Sequence, residues 1–384
     1  MNYGLVLTGG GARAAYQAGV LRGISEILGK PAASGTPFNV VTGISAGAIN
    51  AAYLAAGAQD FAASTAGLYQ FWDQLKIDQV VNVTTTSMAM LGARWIKDLT
   101  FGGFLGGKKA THILDTTPLR DFLKRRIDFQ ALDQNLRSGT LLGCSITATN
   151  YRTGTAISFY DGNPGIEPWV RSSRLGQRTL LSLEHVLASA SVPILFQPVP
   201  IGDSFFGDGC IRLATPLSPA IHLGSDRILA IGVRYPRPGD ITLDINQTAV
   251  MKDISIADIA GVMLNAAFLD SIDSDVERML RINQTISLLS EEQRRKSPTQ
   301  LRQIPLLVIR PSEDLGSMAI EQSKIFPAML RFMMRGLGVS SSKGTDLMSY
   351  LAFDSTYTRR LLELGHKDAL TQRDEIEIFF QAGE

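Results

Sequence analysis

The sequence predicts an α/β protein built on a central, mostly parallel sheet with helices over both faces. Two observations carry this. A strand, a glycine turn and a helix occur twice within the first 60 residues, and three later apolar runs, at 141–148, 227–234 and 305–311, alternate with helical patterns. With 384 residues, 45% hydrophobic and 19% charged, the chain can bury a sizeable core unaided and is too apolar for disorder. Its 37 Lys+Arg against 36 Asp+Glu leave a net charge of +1, which removes the electrostatic motive for binding nucleic acid.

The first unit begins with the apolar run YGLVLT at 3–8 and passes through Gly9, Gly10 and Gly11. Val20, Leu21, Ile24, Ile27 and Leu28 then recur at helical spacing until Gly29 supplies a stop. The second unit begins after Pro37 with an apolar run at 38–42. It passes through Gly43-Ile44-Ser45-Ala46-Gly47 into a helix of small residues closed by Gly57. Residues 155–160, after Asn150 and Gly154, read as the return strand of a hairpin, and 345–384 is helical in pattern and expected to wrap the sheet. Two segments have no clean period. Residues 80–107, with Trp95 and Phe104, and 325–338, with Arg331 and Arg335, are expected either to pack on the body or to touch lipid.

No repeat, charge block or low-complexity linker marks a domain boundary. Cys144 and Cys210 lie in no C-x-x-C or zinc-ligand spacing and are expected to be reduced and buried. The N-terminus lacks a basic n-region and no run of 18 apolar residues occurs, so the expectation is a cytoplasmic protein, peripheral to membranes at most.

The strongest local signal for chemistry is Gly43-x-Ser45-x-Gly47 at a strand-to-helix junction. A nucleophilic serine on a tight elbow needs flanking residues without side chains, and the helix that starts there aims its positive end at a developing oxyanion. Residues 9–13, GGGAR, form an anion-binding nest. Gly9-x-Gly11-x-x-Ala14 also satisfies the dinucleotide fingerprint, but the second strand ends in Gly43-Ile44-Ser45 rather than the required acid, and Glu26 lies within the helix. The alternative is an oxyanion loop beside Ser45.

A serine needs a base. The order of Ser45, Asp208 and then His222 or His366 would suit an α/β-hydrolase, yet 44 residues before the elbow leave room for only two strands. His185 and His222 fall in apolar helical patterns that suit packed or surface histidines. A carboxylate base is the other choice. Asp208, in the glycine-flanked aromatic turn FFGDG, would be desolvated and made more basic, with Asp203 as its competitor. The glycines 102–107 before Lys108-Lys109 fail as a P-loop, and Asp273, Asp275 and Glu277 fail as a calcium loop and read as a solvated helix face, so no metal site is expected.

GGGAR after the first strand, GISAG after the second and the Asp208-Gly209 turn some 160 residues later together resemble the patatin-like phospholipase family. So do 188–199 (ASASVPILFQPV), 215–233, 268–283 and 346–369, so the resemblance covers most of the chain. It implies a three-layer α/β/α patatin-like fold with a central mostly parallel sheet. The chain is expected to divide into a catalytic core at 1–235 and a helical and strand extension at 236–384 that completes or wraps the core, or to form a single domain. The resemblance also implies a lipid acyl hydrolase of phospholipase, lysophospholipase or carboxylesterase type, acting without cofactor on fatty-acyl esters at a membrane surface. Ser45 would be nucleophile, Asp208 base, and Gly9, Gly10, Gly11, Ala12 and Arg13 the oxyanion loop, with Gly43, Gly47 and Gly209 shaping the turns. An acyltransferase using the same acyl-enzyme is the alternative. Two positions depart from the family's pattern, Ala14 in place of a glycine and Cys210 in place of Gly or Ala, and both concern loop geometry.

Overall fold

A computed structural model describes residues 1–29, 35–82, 84, 111–248, 254–296, 301–319, 331 and 345–381. Among them ten strands join one sheet: β1 (Tyr3–Leu7), β2 (Val40–Ile44), β3 (Gly143–Asn150), β4 (Thr155–Gly162), β5 (Trp169–Arg171), β6 (Arg174–Arg178), β7 (Val199–Ile201), β8 (Ser204–Asp208), β9 (Arg227–Ile231) and β10 (Leu306–Ile309). The order is β10-β9-β1-β2-β3-β4-β6-β5, with β8 paired to the end of β3 and β7 to β8. From β10 through β3 the strands are parallel; the sheet turns antiparallel at the β3–β4 hairpin, where the return strand was expected.

The period of two along each strand divides the buried side chains between two cores. Leu5, Leu7, Leu229 and Ile231 enter the larger one, beneath α1 (Ala15–Leu28), α2 (Ala46–Ala56), α3 (Phe61–Gln74) and the helix Ser355–Thr371. Val6, Val40, Ile228 and Ala230 enter the smaller one, against the helices Ser218–His222 and Asp270–Ser287. The result is a three-layer α/β/α fold. Because β1 and β9 are buried on both faces, β1 and, after Arg227, β9 read as apolar runs rather than alternating ones.

Gly29 ends α1 at φ 55 and Gly57 caps α2, as the sequence predicts. β2 runs later than the apolar run 38–42 because Phe38 packs edge-on against Phe61 and Phe380 before the strand begins. The carboxylates at 273–277 correct the expectation of a solvated face. Asp275 is buried and accepts the Leu217 N–H at 2.9 Å, Asp273 binds Arg234 and Arg310, and Glu277 alone of the three is open to solvent. After its first residues the 80–107 segment, including Trp95 and Phe104, lies outside the described residues, as do 102–109 and, apart from Arg331, 325–338. No described helix is long and apolar enough to cross a membrane.

Candidate active site

Since β1 and β2 are parallel neighbours, the segments that follow them emerge side by side at the sheet's carboxyl edge. β9 flanks β1 on its other side, so the chain order reverses there, where open α/β sheets leave a crevice for ligands. Ser45 stands between β2 and α2 with φ 56, a left-handed conformation that costs a non-glycine residue about 1–3 kcal/mol and marks a nucleophile elbow. Its flanks must be bare. A Cβ on Gly47 would strike the carbonyls of Leu7 and Thr8, and one on Gly43 the carbonyl of Gly47. The strained turn is held by a relay in which the Ser45 N–H donates to Ser189 Oγ at 2.9 Å and the Ser189 hydroxyl donates to the Thr147 carbonyl at 2.6 Å.

Asp208 ends β8, which lies antiparallel along the end of β3 and carries the carboxylate to the elbow. The Ser45 hydroxyl donates to Asp208 Oδ2 at 2.5 Å, with the two residues 1% and 0% exposed. The other oxygen, Oδ1, accepts the Cys210 N–H at 2.9 Å. The Asp208 backbone is pinned as well, its N–H to the Ser191 carbonyl and its carbonyl to the Thr149 hydroxyl. Gly209 completes the turn at a point where a Cβ would strike the Thr147 carbonyl. Burial pushes the Asp208 carboxyl up to about 7, against the lowering effect of the Ser45 hydroxyl and of the Cys210 amide and thiol. A carboxylate tuned to neutrality is suited to taking a proton at physiological pH.

Residues 9–13 lie against this pair. A Cβ on Gly9 would come within 2.8 Å of Ser45 Cβ and 2.5 Å of Cys210 Sγ, and Gly11, at φ 57, packs on the Tyr350 backbone. Ala12 and Arg13 continue into the helical turn Gly11–Ala14. The Arg13 side chain is buried and turns toward the C-terminal helices. Nε donates to Ser349 Oγ at 2.8 Å, Nη2 to Asp346 at 2.7 Å, and the guanidinium lies 4.8 Å from the Tyr350 ring centre. It braces the loop rather than pointing at the reacting oxygen.

Ser45 opens into an apolar cleft with about 610 Å³ of empty space out to its mouth. Gly11, Ala46, Ile49 and Trp72 form its inner wall, and Leu264, Tyr350 and Phe353 close it from the C-terminal part of the chain. Sequence reasoning missed this outer wall, and also missed Ser189, whose only sequence signal is the run of small residues at 188–191.

The four histidines lie elsewhere. His185 bonds Ser182 and packs on Phe159, and burial pulls it down to about 4. His222 stacks on Trp169 at 4.5 Å, His366 bonds Glu26 at 2.8 Å, and His112 lies beside Thr111. None bonds Ser45 or Asp208. Asp203 is exposed in the turn between β7 and β8. Glu26 points to Arg22 and His366 on the surface of α1, not to the glycine loop. Among the described residues no cluster of His, Cys, Asp or Glu is placed to hold a metal.

A family model for patatin-like phospholipases matches residues 5–221, more than half of the chain. No curated protein matches it in sequence. VipD from Legionella pneumophila is structurally similar at 12% identity and a TM-score of 0.39, over 97% of this chain and 67% of that one. Human GIVD cytosolic phospholipase A2, in complex with methyl gamma-linolenyl fluorophosphonate, is similar at 12% identity and a TM-score of 0.43, over 99% of this chain and 58% of that one. The chain therefore spans about two thirds or less of the length of either.

Proposed function

The chain belongs to the patatin-like phospholipase family, and from that premise we propose that it is a cofactor-independent hydrolase of fatty-acyl esters, phospholipids or lysophospholipids among them. The observation that carries this reading is the buried hydrogen bond from Ser45 Oγ to Asp208 Oδ2 at the head of an apolar cleft. The cleft suits an acyl chain, because desolvating each methylene contributes about 0.8 kcal/mol while polar head groups would be stripped of water there. The buried, unpaired thiols of Cys144 and Cys210 support a reducing, cytoplasmic compartment.

In this reading Ser45 Oγ attacks the ester carbonyl as Asp208 takes the hydroxyl proton. The oxyanion is held by the backbone N–H groups of Gly10, Gly11 and Ala12 in the 9–13 loop and of the first turn of α2, while the Gly9 and Arg13 amides brace the loop against Cys210 and the Gly10 carbonyl. Collapse of the tetrahedral intermediate breaks the ester C–O bond, and Asp208 returns the proton to the departing alcohol. Water then attacks the acyl-enzyme, giving its proton to Asp208, and the fatty acid leaves as Ser45 recovers its hydrogen. A fluorophosphonate probe is expected to label Ser45, and Ser45→Ala to lower kcat/KM on short-chain p-nitrophenyl esters by about 10³-fold or more. Full activity in that variant would refute the proposal.

A further inference from the structure

The helix Ile256–Phe268 is apolar around most of its circumference, interrupted only by Asp258 and Asn265, a pattern closer to a helix covered on nearly every side than to a surface one. Among the described residues it is covered on one side only. Ala257, Gly261 and Phe268 are buried, and Leu264 reaches the cleft of Ser45. Asn265 accepts the hydroxyl of Tyr350, another wall residue, and the helix rests on the turn Gly209–Ile211 that follows Asp208. At 100° per residue, Ile256, Ile259, Val262, Met263 and Ala266 share one outward arc of about 120°. The four large residues of that arc are 66%, 48%, 68% and 68% exposed, with Ile254 at 61% just before the helix and Ile211 at 37% in the turn the helix rests on. No charged side chain lies on the arc; Asp258 is on its flank, where it caps Ser255.

We propose that this outward face is a lipid-docking surface, which seats the mouth of the Ser45 cleft on a bilayer. The inference rests on the acyl-ester reading above, and three features favour lipid as the occupant. The exposed face and the cleft belong to one helix, so an acyl chain leaving a docked bilayer meets apolar surface all the way to Ser45. The face offers only aliphatic side chains, Ile256, Ile259, Val262, Met263 and Ala266, with no polar group that a bilayer would strip of water. Among the described residues the arc itself carries no charged side chain that would recruit anionic head groups. Docking is therefore expected on neutral phosphatidylcholine and to be insensitive to salt.

The test is sedimentation of the full chain with phosphatidylcholine vesicles at low and high salt, alongside hydrolysis of a water-soluble p-nitrophenyl ester. The wild type should sediment equally at both salts. The triple variant Ile256→Gln, Ile259→Gln, Met263→Gln should lose at least tenfold in vesicle affinity while keeping its rate on the soluble ester, which also reports that it is folded. Met263→Trp, as a second probe, should shift its emission to the blue on adding vesicles. Wild-type vesicle affinity in the triple variant, equal loss on the soluble ester, or a wild type that self-associates through this face, with the triple variant monomeric and vesicle binding intact, would each overturn the proposal. Ser45→Ala should bind vesicles normally. Hydrolysis surviving in that variant would sink the enzymatic reading and leave docking standing, whereas lost docking with Ser45-dependent hydrolysis would sink docking alone.

Discussion

Two helices border the same cleft and are nearly as apolar as each other, yet they meet opposite fates. In α2 every residue except Tyr53 and Ala56 is buried, sealed by the sheet, α1 and α3. Its one internal amide, Asn50, is fully employed: it donates to the Ala14 carbonyl and Gln17 and accepts the Trp72 indole N–H. The helix Ile256–Phe268 is sealed on one face and open on the other. Composition therefore says that a helix will be covered without saying by what. The inner wall is covered by the protein itself and carries the chemistry, whereas the outer wall keeps a face for something else.

The largest expected effect separates the walls by rate. Substitutions at the inner wall should depress turnover on every ester, dissolved or in a bilayer. Asp208→Asn should lower kcat by about 10³-fold or more. In the wild type kcat/KM should fall tenfold per pH unit below about 7, where the carboxylate takes up its proton. Stability gives an independent check of sign. The folded Asp208 holds its proton to about 7 while the unfolded chain releases it near 4, so the folded state binds more protons between those values and loses stability as pH rises through them. Asn carries no such cost. The melting temperature of Asp208→Asn relative to wild type should therefore climb from pH 4 to pH 8, and a difference that is flat or falls would show that Asp208 is not raised by burial.

The next contrast is in stability alone. Ala51→Gln places a polar, larger side chain at a fully buried position of α2 and should destabilise the fold by about 3 kcal/mol or more. Val262→Gln, on the open face of the other helix, should change stability by less than about 0.5 kcal/mol. Urea midpoints measure both. Similar losses at the two positions would mean that the outer face is covered after all.

The inner wall is also the part the sequence made legible. Its glycines cluster in short motifs at strand ends, so GGGAR, GISAG and the Asp208-Gly209 turn announce themselves locally even though most of the contacts that demand them lie far off in sequence. β5 and β6, at the sheet's far edge, are not legible, because WVRSSRLGQR mixes arginines and serines into strands with one exposed face. Asp275 looked solvated because its partner, the Leu217 N–H, lies 58 residues away. The outer wall was illegible for the same reason. Leu264, Tyr350 and Phe353 gain their role from a chain reversal that brings residues far apart in sequence to one cleft, and no local period encodes that.

The smallest expected effect concerns Cys210, which stands where the family's pattern has a smaller residue. Its amide fixes Asp208 Oδ1, so that Oδ2 faces Ser45. Its thiol, buried against Gly9, receives the Gly9 amide and donates to Asp208, and burial beside that carboxylate holds the thiol itself in its neutral form. A donor to the ionised carboxylate favours ionisation, so the thiol lowers the Asp208 pKa against the upward push of burial. Cys210→Ala keeps the backbone N–H and removes only the sulfur. The acid limb of its pH profile should move to higher pH with little change in the plateau rate. Cys210→Ser, which restores a donor, should bring the limb back. If the alanine limb overlies that of the wild type, the sulfur merely fills space beside Gly9, and the base is tuned by burial, Ser45 and the Cys210 amide alone.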